Sequence, residues 1–158
     1  MKNKLARVQM DVLKKIKPQK KERERLHYAS NRVITSAQAA IARRTLRATV
    51  SLIGSAARDT WISGDRDIDV FIGFSVNTPR EEMERFGLEI GKEIATEGYD
   101  IQFAEHPYVK AQLDGFSIDI VPHYVIESTT KMLSAVDRTP FHQKYVTEHL
   151  GGKQDEVR

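Results

Sequence analysis

The chain has 158 residues, 40% of them hydrophobic and 30% charged, and no cysteine. That length fits one domain with a buried core, and the missing cysteines exclude disulfides and thiolate metal sites, so any metal must be held by carboxylates or histidines. No apolar run approaches the roughly 18 residues of a membrane span, and Met1 to Arg7 offer no secretory signal, so the sequence reads as cytoplasmic. The net charge of +3 is unevenly spread: residues 1–50 hold 14 Lys/Arg against 3 Asp/Glu, whereas residues 51–158 hold 11 against 19. A basic first third fits either a solvated helical face or contact with nucleic-acid phosphates.

In chain order, the apolar spacing of Leu5, Val12, Leu13 and Ile16 predicts a first helix over 4–16. Pro18 suits the first turn of a second helix, expected over 19–45 and rich in alanine in its later half. The β-branched segment 48–53 predicts a strand that ends at Gly54-Ser55, with a helical turn from Ala56 to Trp61. A second strand is expected over 67–74. Thr78 as cap and Pro79 at the first position open a helix that reaches Thr96. Extended segments follow at 101–105, 108–113 and 117–125, with Asp114-Gly115 as a hairpin turn between the last two. After residue 127 a helical stretch, broken near Asp137, leads to a final helix from Thr139-Pro140 to Leu150, stopped by Gly151-Gly152. The pattern is that of an α+β domain: a mixed sheet of about five strands flanked by helices. Residues 1–46 are expected as N-terminal helices packed on a core spanning 47–158.

The chemistry is concentrated in Asp67-Ile68-Asp69. Side chains two apart on a strand share a face, so Asp67 and Asp69 converge while Ile68 turns into the core. Aspartate is depleted in strands and like charges repel, so a hard cation such as Mg²⁺ between the two would account for the pair. Taken alone, Asp-x-Asp more often marks a solvated sheet face. A second acidic strand, Ser117-Ile118-Asp119-Ile120-Val121, places one carboxylate within an apolar run, where it would be costly unpaired. It either meets a nearby arginine or joins Asp67 and Asp69 around metal. Gly54-Ser55, at the junction of a strand and a helical turn, offers backbone amides and a hydroxyl to a phosphate, with Arg58 one turn on.

The order Gly-Ser, Asp-x-Asp on a strand, then a solitary Asp on a later strand resembles the nucleotidyltransferase superfamily that includes DNA polymerase β, poly(A) polymerases and CCA-adding enzymes. The stretches Gly54-Ser55-Ala56-Ala57-Arg58-Asp59-Thr60-Trp61, Gly87-Leu88-Glu89-Ile90-Gly91-Lys92, Ala104-Glu105-His106-Pro107-Tyr108-Val109, Asp119-Ile120-Val121-Pro122 and Ser134-Ala135-Val136-Asp137-Arg138-Thr139-Pro140-Phe141-His142 are similar to the N-terminal catalytic domain of archaeal-type (class I) CCA-adding tRNA nucleotidyltransferases. The resemblance covers about residues 50–158 and implies a polymerase-β-like head. It implies Asp67, Asp69 and Asp119 as catalytic residues and ligands of two Mg²⁺ ions, and Ser55, Arg58 and His142 as nucleotide contacts. The family often has Glu where this chain has Asp67. Asp65 shares the phase of the pair but stays outside this ligand set.

For His142 there is separate support, because a helix begun by Thr139 and Pro140 would present its N-terminus to an anion. The implied partners are CTP, ATP and the acceptor stem at the tRNA 3′ end, with a homodimer in the full-length enzyme. The family's enzymes are longer, so the chain is expected to be truncated before neck, body and tail domains, or else a stand-alone relative. Two other functions stay open: a minimal nucleotidyltransferase that modifies a protein or small molecule, and a nucleotide- or RNA-binding module without catalysis.

Overall fold

The computed structural model describes residues 2–158. Helices α1 (Lys2–Ile16) and α2 (Lys20–Arg43) lead into strand β1 (Ala48–Ile53), the short helix α3 (Gly54–Arg58) and strand β2 (Asp67–Ser75). Helix α4 (Arg80–Ile94), strands β3 (Tyr99–Phe103), β4 (Pro107–Leu113) and β5 (Phe116–Val125), then helices α5 (Thr139–Leu150) and α6 (Gln154–Val157) complete the order. The five strands form one sheet in the order β1-β2-β5-β4-β3. Strands β2 and β5 run parallel, whereas β1–β2, β4–β5 and β3–β4 are antiparallel. Among the described residues no helix is long and apolar enough to cross a membrane.

Alternation divides the sheet into two unlike faces. Ile68, Val70 and Ile72 of β2, Ile118 and Ile120 of β5, and Val109 and Ala111 of β4 form one apolar cluster. Leu26, Ala29, Val33, Ala37 and Ala40 of α2, with Met83 and Ile90 of α4, belong to the same cluster. The small residues along α2 let its axis lie close to the sheet. Helix α4 packs closely through two glycines. A Cβ built on Gly87 would stand 2.6 Å from Pro122 Cβ, and one on Gly91 would stand 2.7 Å from Val109 Cβ. An alanine in a helix gains about 1 kcal/mol over glycine, whereas overpacking a tight contact costs about 1–3 kcal/mol. Gly87→Ala is therefore expected to destabilise the fold by a net of up to about 2 kcal/mol, read as a lower midpoint in a urea melt.

The charge asymmetry has a local outcome. Basic residues of the first third reach acids of the remainder: Arg23 to Asp59 at 2.5 Å, Arg32 to Asp114 at 2.5 Å, Arg44 to Glu93 at 2.7 Å, and Arg43 also to Glu93. Each such partly exposed pair contributes at most about 1 kcal/mol, beside the apolar face of α2 that holds it on the core.

Several boundaries differ from expectation. Helix α2 begins at Lys20 with Gln19 as its cap, so Pro18 lies just outside it. The Gln19 amide donates to Glu22 at 2.8 Å, and Ser63 Oγ donates to the same carboxylate at 2.9 Å. Pro79, not Thr78, is the N-cap of α4, and no side chain caps that helix. Strand β3 lies at 99–103 because Phe103 pairs with Pro107 and residues 104–106 form the turn. The segment after residue 127 is two 3₁₀ turns, Thr129–Lys131 and Ala135–Arg138, rather than an α-helix. The tail closes as α6, where Arg158 donates to the Asp59 carbonyl at 2.6 Å.

Candidate active site

Strand register brings the acids together. Asp69 pairs with Asp119 across β2 and β5, and Asp67 pairs with Ser117, so Asp67, Asp69 and Asp119 share the face that α2 and α4 leave uncovered. Ser55, Asp65, Asp67, Asp69, Lys110, Ser117 and Asp119 line one open cleft of about 370 Å³. The turn from β1 into α3 backs directly onto it. Gly54 has φ +77°, and a Cβ there would stand 2.1 Å from Asp69 Oδ2. Glycine at 54 thus provides both the left-handed backbone and the space that the Asp69 carboxylate occupies.

The electrostatics are those of a crowded acidic cleft. Burial raises the Asp69 carboxyl above the ordinary carboxylate range, and the charges of Asp119 and Asp67 raise it further, against the opposing pull of Lys110 and Arg58. Asp65 is also raised, by burial first and then by its hydrogen bond and charge contact with Asp67. Lys110 Nζ stands 3.3 Å from Asp119 Oδ1 and is itself raised, first by the charge of Asp119. That contact is an ion pair poorly aligned for hydrogen bonding, and buried Oδ1 has no hydrogen-bond partner.

A carboxyl raised in this way is harder to ionise in the fold than in the unfolded chain. The folded chain then binds more protons between the two pKa values, so its stability falls as pH rises from the ordinary carboxylate range through the raised values of Asp69 and Asp65. Asp69→Asn is expected to flatten that fall, and to raise the neutral-pH melting temperature in chelator while leaving the acid-pH value nearly unchanged. A parallel pH profile in the two proteins would contradict it.

An all-oxygen donor set, mutual repulsion among three carboxylates and one buried oxygen without a hydrogen bond fit a hard divalent cation. Among the described residues no three Asp, Glu or His side chains are already gathered into a ready ligand cluster. The carboxylates share a cleft, and Lys110 is the cation resting on one of them.

Of the other expected residues, Ser55 lines the cleft. Arg58 stands beside it, acting on Asp69 through its charge and donating to Gln143 Oε1 of α5 at 2.6 Å. His142, next to that glutamine, is on α5 and does not line the cleft. The helix-terminus support for His142 is corrected. Thr139 does not cap α5, because the preceding 3₁₀ turn runs into the helix and the Thr139 amide donates to Val136 O. Asp137 sets that earlier start: its carboxylate accepts from the amides of Ser134 at 2.8 Å, Leu133 at 3.0 Å and Tyr124 at 2.9 Å. Lys110 is the cleft residue that sequence reasoning passed over. The two-residue turn Asp114-Gly115, with φ +55° and +77°, forces Leu113 opposite Phe116 and hence Lys110 opposite Asp119.

Ser55 and the carboxylates of Asp67, Asp69 and Asp119 thus line one cleft on the open face of a mixed sheet. The chain belongs to the nucleotidyltransferase domain family, whose model matches residues 34–142. It is similar to the CCA-adding enzymes of Halobacterium salinarum (43% identical over 139 residues, 88% of this chain and 30% of that protein) and Methanosarcina acetivorans (43% over 153 residues, 95% and 34%). The CCA-adding enzyme of Pyrococcus abyssi is 39% identical over 150 residues, covering 94% of this chain and 34% of the relative. The chain thus spans about a third of the length of these curated relatives. Among solved structures, a cytoplasmic RNA terminal U-transferase superposes with a TM-score of 0.64 at 13% identity, covering 94% of this chain and 40% of the other. Cid1 in complex with the UTP analog UMPNPP gives 0.61 at 13% identity, covering 94% and 39%. These likenesses show the fold, an α+β domain with a mixed five-stranded sheet flanked by helices.

Proposed function

We propose that this chain is the catalytic head of an enzyme that adds CMP, CMP and AMP to the 3′ end of tRNA from CTP and ATP, with release of pyrophosphate. The observation that carries the reading is the register of Asp69 against Asp119, with Asp67 on the same face and Gly54-Ser55 behind. The similarity to CCA-adding enzymes supports the choice of tRNA over a protein or small-molecule acceptor.

In this reading Asp67, Asp69 and Asp119 hold Mg²⁺, two ions during catalysis. Bound there, the metal supplies activation of the attacking hydroxyl and neutralisation of the leaving pyrophosphate. The chain's own groups orient the reactants. Ser55, which lines the cleft, would meet the triphosphate together with the backbone beside Gly54, and Arg58, hydrogen-bonded to Gln143, would offer a charged fork to its oxygens. His142 would contact the nucleotide from α5. Asp119 would also help draw the proton from the RNA 3′-hydroxyl.

The test is a chimera in which this chain replaces the matched N-terminal third of the Methanosarcina relative, supplied with labelled CTP and ATP. Label is expected on tRNA that lacks its CCA end, with little on a small-molecule acceptor or a protein lysate. Label on either of the latter, and none on tRNA, would overturn the reading. The chain alone is expected to bind Mg²⁺ and triphosphate weakly and to extend tRNA poorly.

A further inference from the structure

Among the described residues that line the acid cleft, Lys110 is the one basic side chain. It projects from β4 opposite Asp119, 43% exposed itself, and places its ammonium 3.3 Å from the more buried carboxylate. The turn that fixes this register sets the two residues directly opposite each other across the β4–β5 ladder. A structural ion pair would be expected to satisfy the oxygen it holds, yet Asp119 Oδ1 is buried without a hydrogen bond. The ammonium thus offsets part of the carboxylate's charge at the wall of the cleft.

We propose that Lys110 is a positioning residue that decides in which form the metal enters: it opposes a bare divalent cation and favours one carried on a nucleoside triphosphate. The inference rests on the metal reading given under Proposed function. A bare divalent ion that takes Asp119 Oδ1 must displace the ammonium and leave a positive charge only a few ångströms from itself, where the two repel. A divalent ion bound to a triphosphate arrives as a net anion. The same ammonium attracts that complex and, once released from Asp119, finds an anionic partner in the phosphate chain. Loading of metal and of nucleotide are thereby coupled through one side chain.

The two affinities must then move in opposite directions when the charge is removed, which loss of packing alone would not produce. The chain itself serves for the measurement, unsubstituted and as Lys110→Met, with Lys110→Arg as the charge-retaining control. Binding of Mn²⁺ alone is followed by electron paramagnetic resonance of the free ion. Binding of Mn²⁺ with an α,β-methylene triphosphate is followed by calorimetry. Lys110→Met is expected to bind the bare ion roughly three- to tenfold tighter and the nucleotide complex weaker by a similar factor. Lys110→Arg should stay near the unsubstituted chain on both. In an Asp119→Asn background the bare-ion gain should vanish. Affinities that shift in the same direction, or a gain that persists without Asp119, would overturn the inference and leave the metal reading standing. An unsubstituted chain that binds neither ligand would remove both.

Discussion

In the chimera with the Methanosarcina relative, Asp69→Asn is expected to lower nucleotidyl transfer by about a thousandfold or more, measured as label incorporated per enzyme at saturating nucleotide. The size of the effect follows from where the carboxylate stands. Asp69 is the central acid of the cleft, paired with Asp119 across the strands and two residues from Asp67 on its own strand. Its carboxyl is raised by burial and by both neighbours, so the apo fold tolerates this charge at a cost. Removal of the charge relieves repulsion, and the variant should be folded and slightly more stable at neutral pH. Divalent ions should raise the melting temperature of the unsubstituted chain and leave that of the variant almost unchanged. Loss of activity joined to gained apo stability separates a charge kept for function from one kept for the fold. Retained turnover in Asp69→Asn would remove the assigned role.

The largest expected effect on stability lies at a different aspartate. Asp137 is fully buried, and its carboxylate accepts from three backbone amides that belong to the end of β5 and the approach to the 3₁₀ turn. Asp137→Ala leaves those donors without their acceptor, the Tyr124 and Ser134 amides in the interior, a cost of about 3 kcal/mol or more. For a domain of this size that corresponds to a melting temperature lower by roughly 6–12 °C. Asp137→Asn keeps one acceptor oxygen and should lose less. Because Tyr124 lies five residues past Asp119 on β5, the acid cleft should keep its affinity for metal and nucleotide below the melting transition. Equal melting temperatures for Asp137→Ala and the unsubstituted chain would contradict this role.

These two aspartates also show what the sequence makes readable. The convergence of Asp67, Asp69 and Asp119 follows from strand parity plus one pairing, and both strands are marked by β-branched runs. The Asp114-Gly115 turn is readable from two residues because positive φ at both positions favours this pair. Counting back from that turn places Lys110 on Asp119, so this contact was within reach of the sequence. Asp137 was not, since its three donors come from segments whose meeting depends on the whole fold. The same holds for Arg58 and Gln143, 85 residues apart. Strand β3 was displaced by two residues because all five of its positions are exposed at the sheet edge, so Tyr99, Ile101 and Phe103 give no burial contrast to fix its ends. The basic first third was readable as charge but not as pairing, because Arg23, Arg32 and Arg44 find their acids only across the tertiary structure.

Anomalous scattering from a crystal of this chain soaked in Mn²⁺ with a non-hydrolysable triphosphate is the most direct trial of the three-carboxylate centre. The expected result is a manganese peak between Asp69 and Asp119, within ligation distance of Asp67, with the Lys110 ammonium moved off Asp119. A peak only outside the cleft, with Asp119 still resting on Lys110, would contradict it.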